Sequence, residues 1–184
     1  MVICEKALLR CIREDYKGDG YTVARKEDSS GEDSLLILQS ADWLVEIEWK
    51  HIPKMLFGLL AQHMAGLPEI GTAYEVQRKE TAATIFHMVD RFPETGEGPI
   101  ITAHRTKLTY GGMEVWQKDG NHGVFFVPMD TAEMIEDGGR VVKWTDGGIY
   151  LEGKVSRIFV RPRQFLQEDP ANAAAAFLSN REWR

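Results

Sequence analysis

An α+β fold is the class this sequence predicts: an N-terminal helix, a three-stranded antiparallel segment, a buried helix and further strand, then a β-rich half with a C-terminal helix. Three stretches carry that prediction. From Trp43 the chain alternates, with Trp43, Val45, Ile47 and Trp49 on one face and Leu44, Glu46, Glu48 and Lys50 on the other, the period-two pattern of a strand with one buried face. Residues 2 to 16 instead place Cys4, Leu8, Cys11 and Ile12 at helical spacing. Beyond residue 98 the texture changes to short apolar runs separated by glycine-rich turns.

Taken in order, the first helix meets its stop at Gly18 and Gly20. Tyr21 to Glu27 mixes β-branched and aromatic residues with charges and reads as a strand, followed by a loop from Asp28 to Asp33. Leu35 to Gln39 is apolar on both faces, which marks a strand covered on both sides and the more central partner of a hairpin. With Ala41 and Asp42 as its loop, counting outward pairs Leu35 with Glu48 and brings Asp33 opposite Lys50. A slip of one residue would undo that grouping.

Pro53 opens a strongly apolar helix containing Met55, Leu56, Phe57, Leu59, Leu60, Ala61 and Met64, which stops at Gly66 and Pro68. Gln62 and His63 read as its exposed edge. Thr72 to Arg78 is a further strand, and residues 80 to 92 balance helix and strand signals. The break FPETGEGP, Phe92 to Pro99, divides the chain into an acidic helix-strand-helix half, residues 1–92, and a β-rich half, residues 98–184, as one compact domain or two packed subdomains. No internal repeat is visible on either side.

In the second half, strands are expected at Ile100 to His104, Lys107 to Tyr110, Met113 to Gln117, Gly123 to Val127, Arg140 to Thr145, Ile149 to Glu152 and Val155 to Arg161. They suggest a meander or small curled sheet. Thr131 to Glu136 adds a helical turn. Asp169 as N-cap and Pro170 at the first helical position open a closing helix through Leu178.

With 184 residues, 43% of them hydrophobic and 27% charged, the chain can bury a substantial core and has ordinary globular composition. Residues 1–97 hold 11 Lys and Arg against 17 Asp and Glu, whereas residues 98–184 hold 11 of each, so the net charge of −6 lies in the first half. An acidic half disfavours a phosphate backbone and suits a basic protein partner. No run is long and apolar enough to span a membrane, and Glu5, Lys6 and Arg10 interrupt any leader-like stretch, so the expected location is cytoplasmic with no membrane partner. Cys4 and Cys11 stand about 10 Å apart on one helix, too far for a mutual disulfide, and read as small buried hydrophobes.

Several chemistries lack their signatures. His51, His63, His87, His104 and His122 show no paired zinc spacing, and neither a Gly-x-Ser-x-Gly elbow nor a phosphate-cradling Gly-x-x-x-x-Gly-Lys loop is present. Arg157, Arg161 and Arg163 form the one basic cluster; Arg157 and Arg161 share a strand face, as an anion contact, as a solvated edge or as partners of nearby acids. Trp116, Trp144, Trp183, Phe125, Phe126 and Phe159 supply core and, where exposed, interface anchors.

Asp33, Glu48 and Lys50, with Trp49 between the last two, resemble the sparse pattern of the PD-(D/E)xK nuclease superfamily, as does the order of elements over residues 1–78. The resemblance implies Mg²⁺ held by Asp33 and Glu48, with Lys50 activating the attacking water and Glu5 as a further carboxylate. Asp33 lacks the preceding proline, and Glu46 stands where that family more often has an apolar residue. Read from the residues alone, the same Glu-x-Lys is a charged strand face. The expected function is therefore non-enzymatic and cofactor-free: an acidic protein that binds a basic protein, as an inhibitor or immunity-type antagonist of a nucleic-acid-acting partner. A Mg²⁺-dependent nuclease, the one reading with a nucleic-acid partner, is the alternative.

Overall fold

A computed structural model describes residues 1–27, 31, 33–84, 101–136 and 147–183, with the backbone of 142–145. The architecture is α+β and mostly sheet. Helix α1 (Glu5–Lys17) buries Ala7, Leu8, Leu9, Cys11 and Ile12, and the Gly18 N–H closes it on the Glu14 and Asp15 carbonyls. Strands β1 (Tyr21–Glu27), β2 (Ser34–Gln39) and β3 (Trp43–Glu48) follow as an antiparallel meander. A short 3₁₀ turn, Trp49–His51, leads into α2 (Lys54–Met64), after which β4 (Thr72–Val76) returns beside β1 and β5 (Thr81–Thr84) flanks it.

The second half repeats this path. Strands β6 (Ile101–Tyr110), β7 (Met113–Lys118) and β8 (Val124–Pro128) form a meander, and α3 (Met129–Ala132) is the crossover. Then β9 (Val142–Thr145) returns beside β6, followed by β10 (Gly148–Glu152) and β11 (Ser156–Val160). Helix α4 (Pro170–Leu178) closes the chain, its N-terminus capped by the Asp169 carboxylate accepting the Ala171 N–H. All described strands join one antiparallel sheet in the order β5-β4-β1-β2-β3-β11-β10-β9-β6-β7-β8. Each half thus runs returning strands, then first, second and third. The topology repeats although the sequence does not, because a meander demands only alternation and turns.

One core fills the sheet face that carries α1, α2 and α3, drawing Leu8 and Ile12 from α1, Leu56 and Leu60 from α2, Val45 and Ile47 from β3, Trp116 from β7 and Ile158 from β11, whereas α4 packs on Val115 and Phe126 of the other face. The N-terminus is tied across it: the Cys4 N–H donates to the Met134 carbonyl and Ile3 bridges Ile135. Burial pushes the Cys11 thiol up to about 12, so it stays a neutral thiol in the core. A smaller cluster on the opposite face gathers Ala24, Ile37, Leu44, Ala73, Tyr150 and Phe159. Among the described residues no helix is long and apolar enough to cross a membrane.

Several expectations are corrected. Strand β3 ends at Glu48, so Trp49 leaves the alternating face and is half-buried. Glu46, expected in solvent, is 5% exposed because β11 packs beside β3 and supplies a counter-charge. The second half is antiparallel throughout, as expected of a meander, and β11 joins it to the first half by pairing with β3 at the middle of the sheet. Two short strands expected around residue 105 are one strand, β6, with an irregularity between Arg105 and Thr109 where Lys107 takes φ 65°. Helix α2 buries Leu56, Leu59 and Leu60 but exposes Met55 and Phe57. Residues 85–92, the break at Phe92 to Pro99 and His87 lie outside the described residues.

Candidate functional site

The β2–β3 hairpin carries a charged cluster at each end, because its two-residue turn fixes the register from which both are hung. Ser40 N–H donates to the Trp43 carbonyl, and Gln39 pairs with Leu44, Ile37 with Glu46 and Leu35 with Glu48. At the open end this brings Asp33, Glu48 and Lys50 together. Lys50 Nζ lies 3.0 Å from Asp33 Oδ2 and 3.7 Å from Glu48 Oε2, and His51 Nδ1 lies 2.9 Å from that same Glu48 oxygen. Asp33 Oδ1 also accepts the Ser34 N–H at 2.8 Å. Lys50, and then the Ser34 amide, hold the Asp33 carboxyl below its ordinary value.

That geometry bears on a metal. Mg²⁺ needs carboxylate oxygens converging on a position open to the ion, and here the Lys50 ammonium bonds to both carboxylates instead. Among the described residues no three of His, Cys, Asp and Glu stand close enough to hold an ion, so Glu5 does not join Asp33 and Glu48. As placed, Asp33 and Glu48 are engaged by Lys50. The neighbouring cations are committed as well. Arg25 stacks 3.5 Å over the Trp49 ring and donates to Ser34 Oγ, while Lys26 pairs with Glu46 at 3.6 Å.

Midway along the hairpin, Glu46 Oε1 accepts a hydrogen bond from Arg157 Nε at 2.6 Å, directly across the β3–β11 seam. Burial opposes the guanidinium charge, but Glu46 and Tyr150 outweigh it and hold Arg157 above its ordinary value. Arg157 is therefore a partner of an acid in mid-sheet rather than part of a basic stripe. Arg161 lies just past β11, where its Nη1 donates to the Ala41 carbonyl at 3.0 Å.

At the turn end the hairpin tip meets the C-terminus of α1. A surface cleft of about 380 Å³ opens there, lined by Asp15, Asp19, Tyr21, Asp42, Glu75 and Arg161. A recess of about 160 Å³ adjoins it on the far side of Asp15 and Asp42, reaching Arg10, Trp43 and Asp130. Asp15 is half-buried, and its Oδ2 accepts the Trp43 Nε1–H at 3.1 Å. Burial raises its carboxyl above the ordinary value, against the hydrogen bonds from Ser40 and Trp43, and the charges of Asp42 and Asp19 add to the rise. The ionised Asp15 carboxylate is thus held in the cleft at an electrostatic cost.

Sequence reading placed Asp33, Glu48 and Lys50 together through the turn register, and the structure brings them together. It missed the Asp15–Asp42 cleft, whose members are 27 residues apart and meet only because α1 packs beside the hairpin tip. It also missed Glu46 with Arg157, for which Leu44 and Ile37 beside Glu46 were the available signal.

No family model matches the chain, and no curated protein matches it. Among solved structures it is similar to the β chain of DNA polymerase III from Streptococcus pneumoniae TIGR4, at 11% identity and a TM-score of 0.39. That likeness covers 92% of this chain and 66% of the other, so the chain spans just under two thirds of its length. At this level the similarity assigns neither family nor function.

Proposed function

We propose that the protein is a non-enzymatic, cytoplasmic protein-binding protein whose acidic surface takes a basic partner, as an inhibitor or immunity-type antagonist of a nucleic-acid-acting protein. The observation that supports this is the cleft at the hairpin tip, where Asp15, Asp19, Asp42 and Glu75 converge and Asp15 stays half-buried despite the cost to its charge. A protein that binds a phosphate backbone presents Lys and Arg, and such a surface is complementary to this cleft. The test is capture of basic partners by the intact protein, with salt titration and the variant Asp19→Lys/Glu75→Lys, both exposed positions. Binding should weaken with salt, because exposed charges are screened beyond about 8 to 10 Å, and weaken again in the variant. A complex indifferent to both would sink the reading.

The convergence of Asp33, Glu48 and Lys50 supports a second reading, a Mg²⁺-dependent nuclease. The ion pairs that Lys50 makes with both acids count against it. Incubation with single- and double-stranded DNA and RNA in Mg²⁺ or Mn²⁺ separates the two. Cleavage abolished by EDTA and by Lys50→Ala would replace the binding reading, whereas intact substrates in every condition leave it standing.

A further inference from the structure

The acidic cleft has a neighbour of opposite charge. Beyond the ridge formed by Ala41, Asp42 and Arg161 lies a second cleft of about 450 Å³, lined further by Gly147, Pro162, Arg163 and Gln164. Ala41, Asp42 and Arg161 line both. Arg161 is held on the ridge by the Ala41 carbonyl, and its own N–H donates to the Asp42 carbonyl at 2.8 Å, so the hairpin tip and the chain leaving β11 form one fixed wall. Arg163 is exposed, and the backbone it projects from is fixed by its N–H donating to the Phe126 carbonyl at 2.8 Å. Across a single ridge the surface passes from the carboxylates of Asp15, Asp19 and Glu75 to the guanidinium of Arg163.

Two signs of charge in adjoining clefts select among ligands. A nucleic acid carries one sign of charge along its whole length, so it cannot complement both clefts, and four carboxylates would repel it. A polypeptide can change sign within a few residues. We propose that the clefts flanking Asp42 together bind a bipolar polypeptide segment, a Lys- or Arg-rich stretch lying over Asp19 and Glu75 and an Asp- or Glu-rich stretch lying over Arg163. This rests on the acidic-surface reading above and narrows it, since opposite charges set the register and polarity of the bound segment as well as its attraction.

The experiment uses the full chain and two synthetic peptides of equal length, one a block of lysines followed by a block of glutamates and the other lysine throughout, with binding measured by calorimetry at low salt. Arg163→Glu should weaken the block peptide roughly two- to fivefold, the scale of one exposed charge pair, and should tighten the all-lysine peptide. The milder Arg163→Gln should shift both in the same directions by less, and unchanged thermal melting establishes that both variants fold. If Arg163→Glu leaves the block peptide unchanged or tightens it, while Asp19→Lys/Glu75→Lys still weakens both peptides, the bipolar site is overturned and the acidic surface survives. If the acidic-side variant changes neither peptide, or neither binds, both readings fall.

Discussion

Glu46 and Arg157 meet across the seam that joins the two halves of the sheet, with Oε1 2.6 Å from Nε and the Glu46 side chain 7% exposed against 33% for Arg157. The inequality of burial makes the pair asymmetric. Removing Arg157 leaves a carboxylate inside the sheet with Lys26, 3.6 Å from its other oxygen, as the one cation pairing with it among the described residues. Arg157→Ala should therefore cost about 3 kcal/mol. Glu46→Ala should cost less, because the remaining guanidinium can rehydrate. Replacing the pair by Leu and Met should fall within about 1 kcal/mol of wild type or above it. Urea midpoints of the four proteins check this, and equal losses for the two single variants would show that the charges are solvated alike.

Tryptophans at unequal depth should respond unequally. Trp116 is 0% exposed in the main core, and Trp116→Ala should cost about 3 to 5 kcal/mol. Trp49 is half-buried between Arg25 and an edge-on contact with Phe57 at 6.3 Å, so Trp49→Ala should cost about 2 kcal/mol, part of it from the lost stack on Arg25. Thermal denaturation ranks them.

His63 joins α2 to the end of α1. Its ring stacks on Tyr16 at 3.7 Å between centroids, and its Nδ1 lies 3.1 Å from the Tyr21 hydroxyl. Burial, and then the charge of Arg13, lower its pKa below the ordinary histidine value of about 6.5. The unfolded chain therefore takes up the proton first as pH falls. The contribution is fully present above 6.5 and is lost as pH drops through 6.5 toward the lower folded value. His63→Phe, which keeps a ring against Tyr16 but cannot titrate, should flatten the slope of unfolding free energy against pH in that window relative to wild type.

Asp15 has the opposite sign. Its raised pKa means that the folded protein holds the proton more tightly than the unfolded chain, so the ionised group costs stability at neutral pH and the cost vanishes as pH falls through the folded pKa. Asp15→Asn keeps an oxygen for the Trp43 indole and should stabilise at pH 7 by less than about 1 kcal/mol, since solvent still reaches the group. The gain should fade in acid, and affinity for a basic partner should fall. Melting curves at two pH values and one binding isotherm decide.

How much of this was legible depended on whether neighbours in space were neighbours in sequence. The strand at Trp43 to Ile47, the Ala41–Asp42 turn and the Asp169-Pro170 cap follow from local rules, and each holds, but the one-sided burial read from the alternation does not, because β3 is buried on both faces. The convergence of Asp33, Glu48 and Lys50 followed from the turn alone. The burial of Glu46 did not, because its partner stands 111 residues away on β11 and only the sheet order puts them side by side. The exposure of Met55 and Phe57 was hidden for a related reason: apolar composition marks α2 for burial, but it does not reveal that Leu56, Leu59 and Leu60, with Met64 partly buried beside them, are the residues that meet the core. The acidic surface was visible as composition, and its gathering into a cleft required the packing of α1 against the hairpin tip.

The strand made last completes the middle of the sheet, and that ordering has a cost during synthesis. As the ribosome extends the chain, β3 emerges with one edge paired to β2 and the other bare, and it waits for β11 through more than a hundred residues. At ordinary elongation speeds the wait lasts roughly 5 to 20 s. An open, apolar strand edge is a template for pairing with another nascent chain. The charges on that edge then act before the native state exists: a Glu46 not yet matched by Arg157 keeps a carboxylate in the middle of the strand with Lys26 beside its other oxygen and its Oε1 without the Arg157 hydrogen bond. Two such edges brought together would bury like charges against each other, so the residue that pins the finished seam also guards the unfinished one.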